Sequence, residues 1–179
     1  MRIISGCRRG HKLFAFEGEN VRPTADRVKE AIFNIIRSHI PSANVLDMFA
    51  GSGALSFEAI SRGAAKATLL DNDKRSAELI RKNIASLGFE ESCTLREISC
   101  FDYLKNCRES FDIIFLDPPY NKGFIEPALE AISVGNILAK DGIAVLESDN
   151  TDFRSEISGL EILNQKRYGR TFVTVYGKI

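Results

Sequence analysis

Short apolar segments alternate with segments of helical periodicity from residue 44 to residue 148, and this alternation limits the possible folds more than any other feature. The predicted strands are residues 44–49, 66–71, 92–98, 111–117 and 142–148. Helices are predicted between them, as over 74–88, where apolar residues recur every three or four positions before Gly88. Such an order predicts an α/β fold with a mostly parallel sheet and helices on both faces.

The two ends of the chain complete this prediction. Residues 160–179 are predicted to form a hairpin that turns near Gly169, which brings the sheet to seven strands and places an antiparallel strand at one edge. At the other end, a small β-hairpin is predicted around residues 7–10, followed by a helix that begins after Pro23 and Thr24. We therefore expect a single domain over 1–179, with a hairpin extension (1–22), a helix (23–40) and an α/β core (41–179).

Charge is balanced over the whole chain but not along it. There are 24 Lys and Arg residues and 24 Asp and Glu residues, so the formal net charge is zero. Residues 1–12, however, hold Arg2, Arg8, Arg9 and Lys12 and no acid. A basic end on a neutral body is typical of a surface for a polyanion. An ordinary solvated tail is the alternative.

Other features of the composition favour a cytoplasmic protein. No apolar run approaches the roughly 20 residues of a membrane helix, and the N-terminus lacks the apolar core of a signal peptide. The four cysteines lie too far apart for a metal or redox pair. The two histidines, His11 and His39, form no ligand cluster, so no metal is expected. Nothing in the sequence requires more than a monomer.

The first predicted strand ends in a glycine turn, "DMFAGSGAL". Gly51 and Gly53 allow a tight bend and close approach of a ligand to the backbone. Ser56 stands where a pyrophosphate site usually has Gly or Ala, and the Asp47 carboxylate is unfavourable beside a phosphate. A carboxylate here suits a cationic ligand such as an ammonium group. A plain strand-to-helix turn is the alternative.

The ends of the second and third strands predict contacts to a nucleoside. Asp71 follows the second strand 18 residues after Gly53, at the distance from which an acid binds ribose hydroxyls. Asp73 is interpreted as a helix cap. The third strand ends at Ser99 and Cys100, where an adenine would be read, and Asp102 either contributes there or faces outward in a short helix.

The fourth strand ends in the tetrapeptide Asp117-Pro118-Pro119-Tyr120. The Asp117 carboxylate and the Pro118 carbonyl can accept the two N–H bonds of an exocyclic amine. Pro119 stiffens the turn, and Tyr120 can stack on the plane of a base. S-adenosylmethionine fits these sites, because it has an ammonium group and a ribose and needs no phosphate site. An exocyclic amine held beside its methyl group would be the methyl acceptor. A purely structural turn is the alternative.

The segments "VRPTADRVKEAIFNII", "VLDMFAGSGALSFEAISRGA" and "FDIIFLDPPY" together resemble the class I S-adenosylmethionine-dependent methyltransferases, and more closely the RsmD-type 16S ribosomal RNA guanine-N2 methyltransferases. The resemblance implies a Rossmann-like methyltransferase fold and transfer of a methyl group to the N2 amine of a guanine in 16S ribosomal RNA. It also implies S-adenosylhomocysteine as product, no metal, and ribosomal RNA or the small ribosomal subunit as partner. An adenine-N6 methyltransferase and a non-catalytic RNA-binding protein are the alternatives.

The resemblance also assigns roles to individual residues. The glycine turn would surround the methionine half of the cofactor. Asp71 would bind the ribose hydroxyls, and Asn72 would lie beside the adenine. The tetrapeptide would hold the target amine. Related enzymes commonly have an acid near the adenine amino group, where this chain has Ser99. The predicted cofactor contacts are Asp47, Phe49, Ala50, Gly51, Ser52, Gly53, Asp71, Asn72, Ser99, Cys100 and Asp117. The predicted RNA contacts are Arg8, Arg9, Lys12, Arg22, Thr24 and Arg27.

Overall fold

A computed structural model of the protein describes residues 1–16, 23–119, 122–151 and 153–179, and the side chains of 23–25 are not described. The helices are α1 (Pro23–Ile35), α2 (Ala54–Ser61), α3 (Lys74–Leu87), α4 (Cys100–Leu104) and α5 (Ile125–Gly135), with a 3-10 turn at Arg37–His39. The strands are β1 (Asn44–Asp47), β2 (Lys66–Leu70), β3 (Cys93–Arg96), β4 (Phe111–Leu116), β5 (Leu138–Ser148), β6 (Leu160–Tyr168) and β7 (Thr171–Lys178).

The seven strands form one sheet in the order β3-β2-β1-β4-β5-β7-β6. The strands β1 to β5 all run parallel to one another, as crossover helices require. The terminal hairpin closes the other edge: β7 pairs antiparallel with β5, and β6 pairs antiparallel with β7. The predicted fold class is thereby confirmed. Some boundaries differ: α1 ends at Ile35 rather than at residue 40, and β1 and β3 are shorter than predicted. The largest difference among the strands is at β5, which begins at Leu138 rather than at residue 142, with a register shift opposite β4.

Helices cover both faces of the sheet, and the strands alternate between them. Val45 of β1 and Phe115 of β4 belong to the core under α1, α2 and α3, while Leu46 and Leu116 belong to the core under α4 and α5. Because side chains alternate along a strand, β4 buries residues on both sides, which explains why it reads as a continuous apolar run. No helix among the described residues is long and apolar enough to cross a membrane.

The N-terminal hairpin is small and is fixed to the helices by a buried acid. Its strands meet in a single antiparallel bridge between Arg2 and Lys12. Glu58 of α2 is fully buried and accepts the backbone N–H groups of Ile4 at 2.7 Å and Ser5 at 3.0 Å. These bonds hold the hairpin against α2.

The loop of this hairpin lies at the amino edge of the sheet, the edge at which the parallel strands begin. The Cys7 amide donates to the Ser61 carbonyl at the end of α2, at 2.8 Å. The Arg8 Nε donates to the Leu87 carbonyl at the end of α3, at 2.6 Å. Both helices end where the chain turns toward the start of the next strand, so the loop lies opposite the edge where the parallel strands end.

Candidate active site

The glycine turn after β1 has the backbone that its sequence predicts. Gly51 and Gly53 have φ angles of +54° and +79°, in the left-handed region that favours glycine. A Cβ on Gly53 would also lie 2.4 Å from the ring of Phe57. The turn is tight, since the Gly53 amide donates to the Ala50 carbonyl at 2.6 Å. The chain thus bends sharply into α2 with its backbone open toward the carboxyl edge.

Asp71, at the end of β2, fixes this turn from the neighbouring strand. Its Oδ2 accepts the Gly51 amide at 2.9 Å, and its Oδ1 accepts the Asp73 amide at 2.8 Å. Each carboxylate oxygen keeps a lone pair for a further donor. Asp73 caps α3 by accepting the Arg75 amide at 2.7 Å, which confirms its interpretation as a helix cap.

The end of β3 leads into the short helix α4, which sequence analysis treated only as an alternative. The Ser99 hydroxyl caps this helix by accepting the Asp102 amide at 3.2 Å. Asp102 faces outward and pairs with Lys105 at 2.6 Å. Burial raises the pKa of the Cys100 thiol to about 11, so Cys100 is a neutral, apolar wall residue.

The ends of β1 to β4 surround a cavity of about 770 Å³. Nine of the predicted site residues line it, together with apolar side chains from the strand ends and α4. Asp47, Ala50, Ser52 and Gly53 do not line it. Their predicted cofactor contacts remain predictions. The nine lining residues are Phe49, Gly51, Asp71, Asn72, Ser99, Cys100, Asp117, Pro118 and Pro119.

Asp47 lies beneath the cavity instead. Its side chain is 1% exposed, and its Oδ2 accepts the Ser56 hydroxyl at 2.9 Å. Its Oδ1 is buried with no hydrogen-bond partner among the described residues. Burial raises the pKa of Asp47 to about 7, the Asp117 charge adds to the rise, and the Ser56 bond opposes it. Asp47 therefore holds its proton more tightly than an ordinary exposed carboxyl group does.

Asp117 stands at the end of β4, beside Glu147 of β5, because Leu116 and Leu146 are register partners. The Asp117 side chain is exposed to the cavity, yet protein surrounds that cavity. Loss of water around it and the neighbouring Glu147 charge raise the pKa of Asp117. Burial raises the pKa of Glu147 to about 7. Tyr120, the last residue of the tetrapeptide, lies outside the described residues.

A second cavity, of about 530 Å³, adjoins the first at the tetrapeptide. The two share Pro118, Pro119, Lys122 and Phe124. The ring of Phe124 stacks on Phe49 of the first cavity, with centroids 6.0 Å apart. Sequence analysis missed the residues that α5 and the segment after β5 add to this second cavity. They are Glu126, Asp149, Asn150 and Phe153.

The predicted RNA contacts are spread over the molecule. Arg8 and Arg9 belong to the hairpin loop at the amino edge, and Lys12 is exposed on the second strand of that hairpin. Arg27 is exposed on the first half of α1. Arg22 and the Thr24 side chain lie outside the described residues. Among the described residues, no group of three or more His, Cys, Asp or Glu side chains could hold a metal ion.

The sheet order, the glycine turn and the acids at successive strand ends define the class I methyltransferase fold. The model of the family described as Conserved hypothetical protein 95 matches residues 1–177, and the chain belongs to this family. The resemblance to the RsmD-type family is thereby confirmed.

Individual relatives agree with this placement. The Ribosomal RNA small subunit methyltransferase D of Haemophilus influenzae is 40% identical over 152 residues, which cover 83% of this chain and 79% of that protein. The solved structure of yhhF from Escherichia coli is 32% identical with a TM-score of 0.90, covering 99% of this chain and 97% of that one. A more distant structure, SMU.776 complexed with SAH, is 20% identical with a TM-score of 0.65, covering 82% of this chain and 48% of that one. At that identity it shows the fold alone.

Proposed function

We propose that this protein transfers a methyl group from S-adenosylmethionine to the exocyclic N2 amine of a guanine in 16S ribosomal RNA. One observation carries the proposal: Gly51, Asp71 and Asp117 come from three different strand ends and line one cavity. The methyltransferase D name of the Haemophilus influenzae relative supports ribosomal RNA of the small subunit as the substrate.

The first cavity suits the proposed cofactor. Its volume lies within the range of about 300–1,000 Å³ that is usual for small-molecule sites. Asp71 has free lone pairs for the ribose hydroxyls, while Leu70, Ile98 and Phe101 supply apolar walls for the adenine. The Oδ1 of Asp47 is buried with no partner in the part of the chain that the structure describes, and a cationic ligand above it would favour the ionised carboxylate. When bound, S-adenosylmethionine supplies an electrophilic methyl group.

The second cavity suits the target base, and its charges favour guanine over adenine. Guanine presents N1–H beside its N2 amine, whereas adenine presents a bare N1 acceptor beside its N6 amine. Asp149, an acceptor when ionised, lines this cavity, and its Oδ1 accepts the Asn150 amide group at 2.9 Å. Lys122 lines the same cavity and is a donor suited to the guanine O6. A carboxylate opposite the N1 position attracts guanine and repels adenine.

Asp117 and the Pro118 carbonyl hold the amine in this proposal. Each accepts one N–H bond and so orients the nitrogen, and such positioning is worth up to about 7–11 kcal/mol in favourable cases. The nitrogen becomes acidic once it carries the methyl group, and Asp117 then takes one of its protons. The raised pKa of Asp117 makes it a better proton acceptor than an ordinary exposed carboxylate.

The direct test is a methyl-transfer assay. The protein is incubated with S-adenosylmethionine labelled in the methyl group and with either total RNA or small ribosomal subunits, and the labelled nucleoside is then identified. We expect N2-methylguanosine at one position of 16S RNA. Label in N6-methyladenosine would favour the adenine alternative, and absence of transfer to either substrate would contradict the proposal.

The Asp117→Ala variant tests the role of this residue within the same assay. We expect the barrier to turnover to rise by about 2–4 kcal/mol, as for other oriented electrostatic groups, while the affinity for S-adenosylhomocysteine stays close to that of the wild type. Asp141→Ala is the matched control, because Asp141 is exposed near the opposite end of β5. Normal turnover of Asp117→Ala would remove this residue from catalysis.

A further inference from the structure

The turn between β6 and β7 carries a cluster of exposed cations. Lys166, Arg167 and Arg170 are all exposed, and we call these three residues the basic tip. Residues 164–172 contain no acid. None of the three cations forms a salt bridge among the described residues, whereas the exposed Arg2, Arg81 and Arg154 do. The tip therefore presents positive charge to the solvent.

The strand register places the basic tip at the same edge as the two cavities. Ser148, the last residue of β5, is paired with Phe172 of β7, and Phe172 is paired with Arg167 of β6. The turn beyond these pairs therefore projects past the end of β5. Asp149, which lines the second cavity, directly follows the end of β5. The basic tip thus lies beside the cavity proposed for the target base.

The backbone and one of the cations of the tip are held in place. Tyr168 packs against the hydrophobic core. The Arg167 Nε donates to the Gly169 carbonyl at 2.9 Å, and its guanidinium carbon lies 5.3 Å from the centre of the Phe172 ring. Its terminal nitrogens are left for another acceptor. A preorganised cation loses less conformational freedom on binding than a mobile one.

The charge of the cavity edge explains why such a tip is needed. Asp71 and Asp149 lie just past the ends of β2 and β5, and the carboxyl groups of Asp117 and Glu147 lie at the ends of β4 and β5, whereas Asp73 is paired with Arg75. This acidic edge repels the phosphates of a nucleic acid, although its cavities suit a base. Cations beside the edge can hold the backbone while the base enters.

Building on the proposed function, we infer that the basic tip binds the phosphate backbone of the RNA substrate next to the nucleotide that enters the second cavity. The contact is to phosphate and carries no base specificity, so it contributes affinity and orientation. The cations of the N-terminal hairpin loop lie at the opposite edge and cannot replace it at this position.

The test compares two triple variants with the same loss of charge. In the first, Lys166→Gln, Arg167→Gln and Arg170→Gln neutralise the basic tip. In the second, Arg37→Gln, Arg108→Gln and Lys140→Gln neutralise three exposed cations near the starts of β1, β4 and β5, at the amino edge. Binding of a labelled 16S RNA fragment that contains the mapped guanosine is followed by fluorescence anisotropy over a series of salt concentrations.

We expect the tip variant to bind RNA at least about tenfold more weakly at physiological ionic strength, with a slope of log affinity against log salt that is smaller by about 2. The amino-edge variant should differ much less, and both should bind S-adenosylhomocysteine normally. A charge-retaining variant, Lys166→Arg with Arg167→Lys and Arg170→Lys, should recover most of the RNA affinity. This recovery separates loss of charge from loss of fold.

Equal RNA affinities of the two neutral variants would overturn the inference. A defect seen only on assembled subunits, with normal binding of naked RNA, would assign the tip to a protein partner and would also overturn it. These outcomes are distinct from failure of the proposed function, in which the wild-type protein itself methylates no RNA.

Discussion

Two buried acids in this protein, Glu58 and Asp47, differ in how many hydrogen-bond and ionic partners they have. Glu58, beneath the N-terminal hairpin, receives two backbone N–H groups, the Arg62 Nε at 2.6 Å and the Lys29 ammonium at 3.6 Å. Asp47, beneath the first cavity, accepts the Ser56 hydroxyl and is also favoured in its ionised form by the Phe49 backbone amide, but it has no cationic partner and its Oδ1 has no partner among the described residues. Both side chains are almost completely buried.

The difference indicates that Glu58 stabilises the fold, whereas Asp47 is available to interact with a ligand. Lys29 is buried enough that its pKa is lowered, and Glu58 opposes that shift, so the pair is a structural unit. Asp47, Asp117 and Glu147 form no salt bridge among the described residues, and all three have raised pKa values. Acids that have raised pKa values and no cationic partner are typical of sites that bind a charged ligand or move a proton.

The largest expected effect comes from removing Glu58, which binds Lys29, Arg62 and the hairpin amides. Glu58→Ala leaves Lys29 buried without its acid and removes the acceptor for the hairpin amides. We expect the free energy of unfolding to fall by about 3–5 kcal/mol, measured by denaturant unfolding. Glu109→Ala is the matched control, because its pair with Lys66 is exposed and should contribute no more than about 1 kcal/mol. A small loss for Glu58→Ala would show that the cluster is not an anchor.

Asp47 offers the opposite experiment, in which a buried acid is removed to gain stability. Its pKa is about 3.8 when unfolded and about 7 when folded, so the stability that the protonated acid contributes is present below pH 4 and is lost as the pH rises to 7. The free energy of unfolding of Asp47→Asn, relative to that of the wild type, should therefore increase over this pH range by up to about 4 kcal/mol. Thermal or denaturant unfolding of both proteins at several pH values measures the gain. A difference that does not change with pH would contradict the raised pKa.

The site residues that the sequence could predict are those at the ends of the strands. Asp71 and Asp117 come from different segments, yet both were predicted at one cavity, because the carboxyl ends of parallel strands share an edge. The same rule, applied to the fifth strand, would have found Asp149. No sequence motif marks the end of the fifth strand, and Asp149 therefore has no local signal.

The anchoring of the hairpin could not be predicted. Glu58 contacts Ile4 and Ser5 across more than 50 residues, and nothing in the local sequence shows where the hairpin packs. A basic segment looks the same in sequence whether it faces the active site or the opposite edge. The direction of the hairpin depends on tertiary contacts such as that of Arg8 with Leu87.

A smaller effect is expected for the acid that fixes the glycine turn. Asp71→Ala removes the acceptor for the Gly51 amide and the proposed ribose contact, so the dissociation constant for S-adenosylhomocysteine should rise by about tenfold, or roughly 1–2 kcal/mol. Calorimetric titration measures it. Asp102→Ala is the control and should bind normally, because Asp102 faces outward. If Asp102→Ala weakened binding and Asp71→Ala did not, the assignment of the two acids would be reversed.

The smallest effect concerns the N-terminal cations, and it sharpens the comparison between the two edges of the sheet. Arg9 and Lys12 are exposed, and their side chains have no hydrogen-bond or salt-bridge partner among the described residues. If RNA reaches this surface, Arg9→Gln with Lys12→Gln should lower the salt slope of RNA binding by about 1, less than neutralising the basic tip does. Arg8 is kept, because its contact with Leu87 would mix stability with binding. An unchanged slope would identify the segment as a solvated surface, leaving the carboxyl edge as the site of phosphate contact.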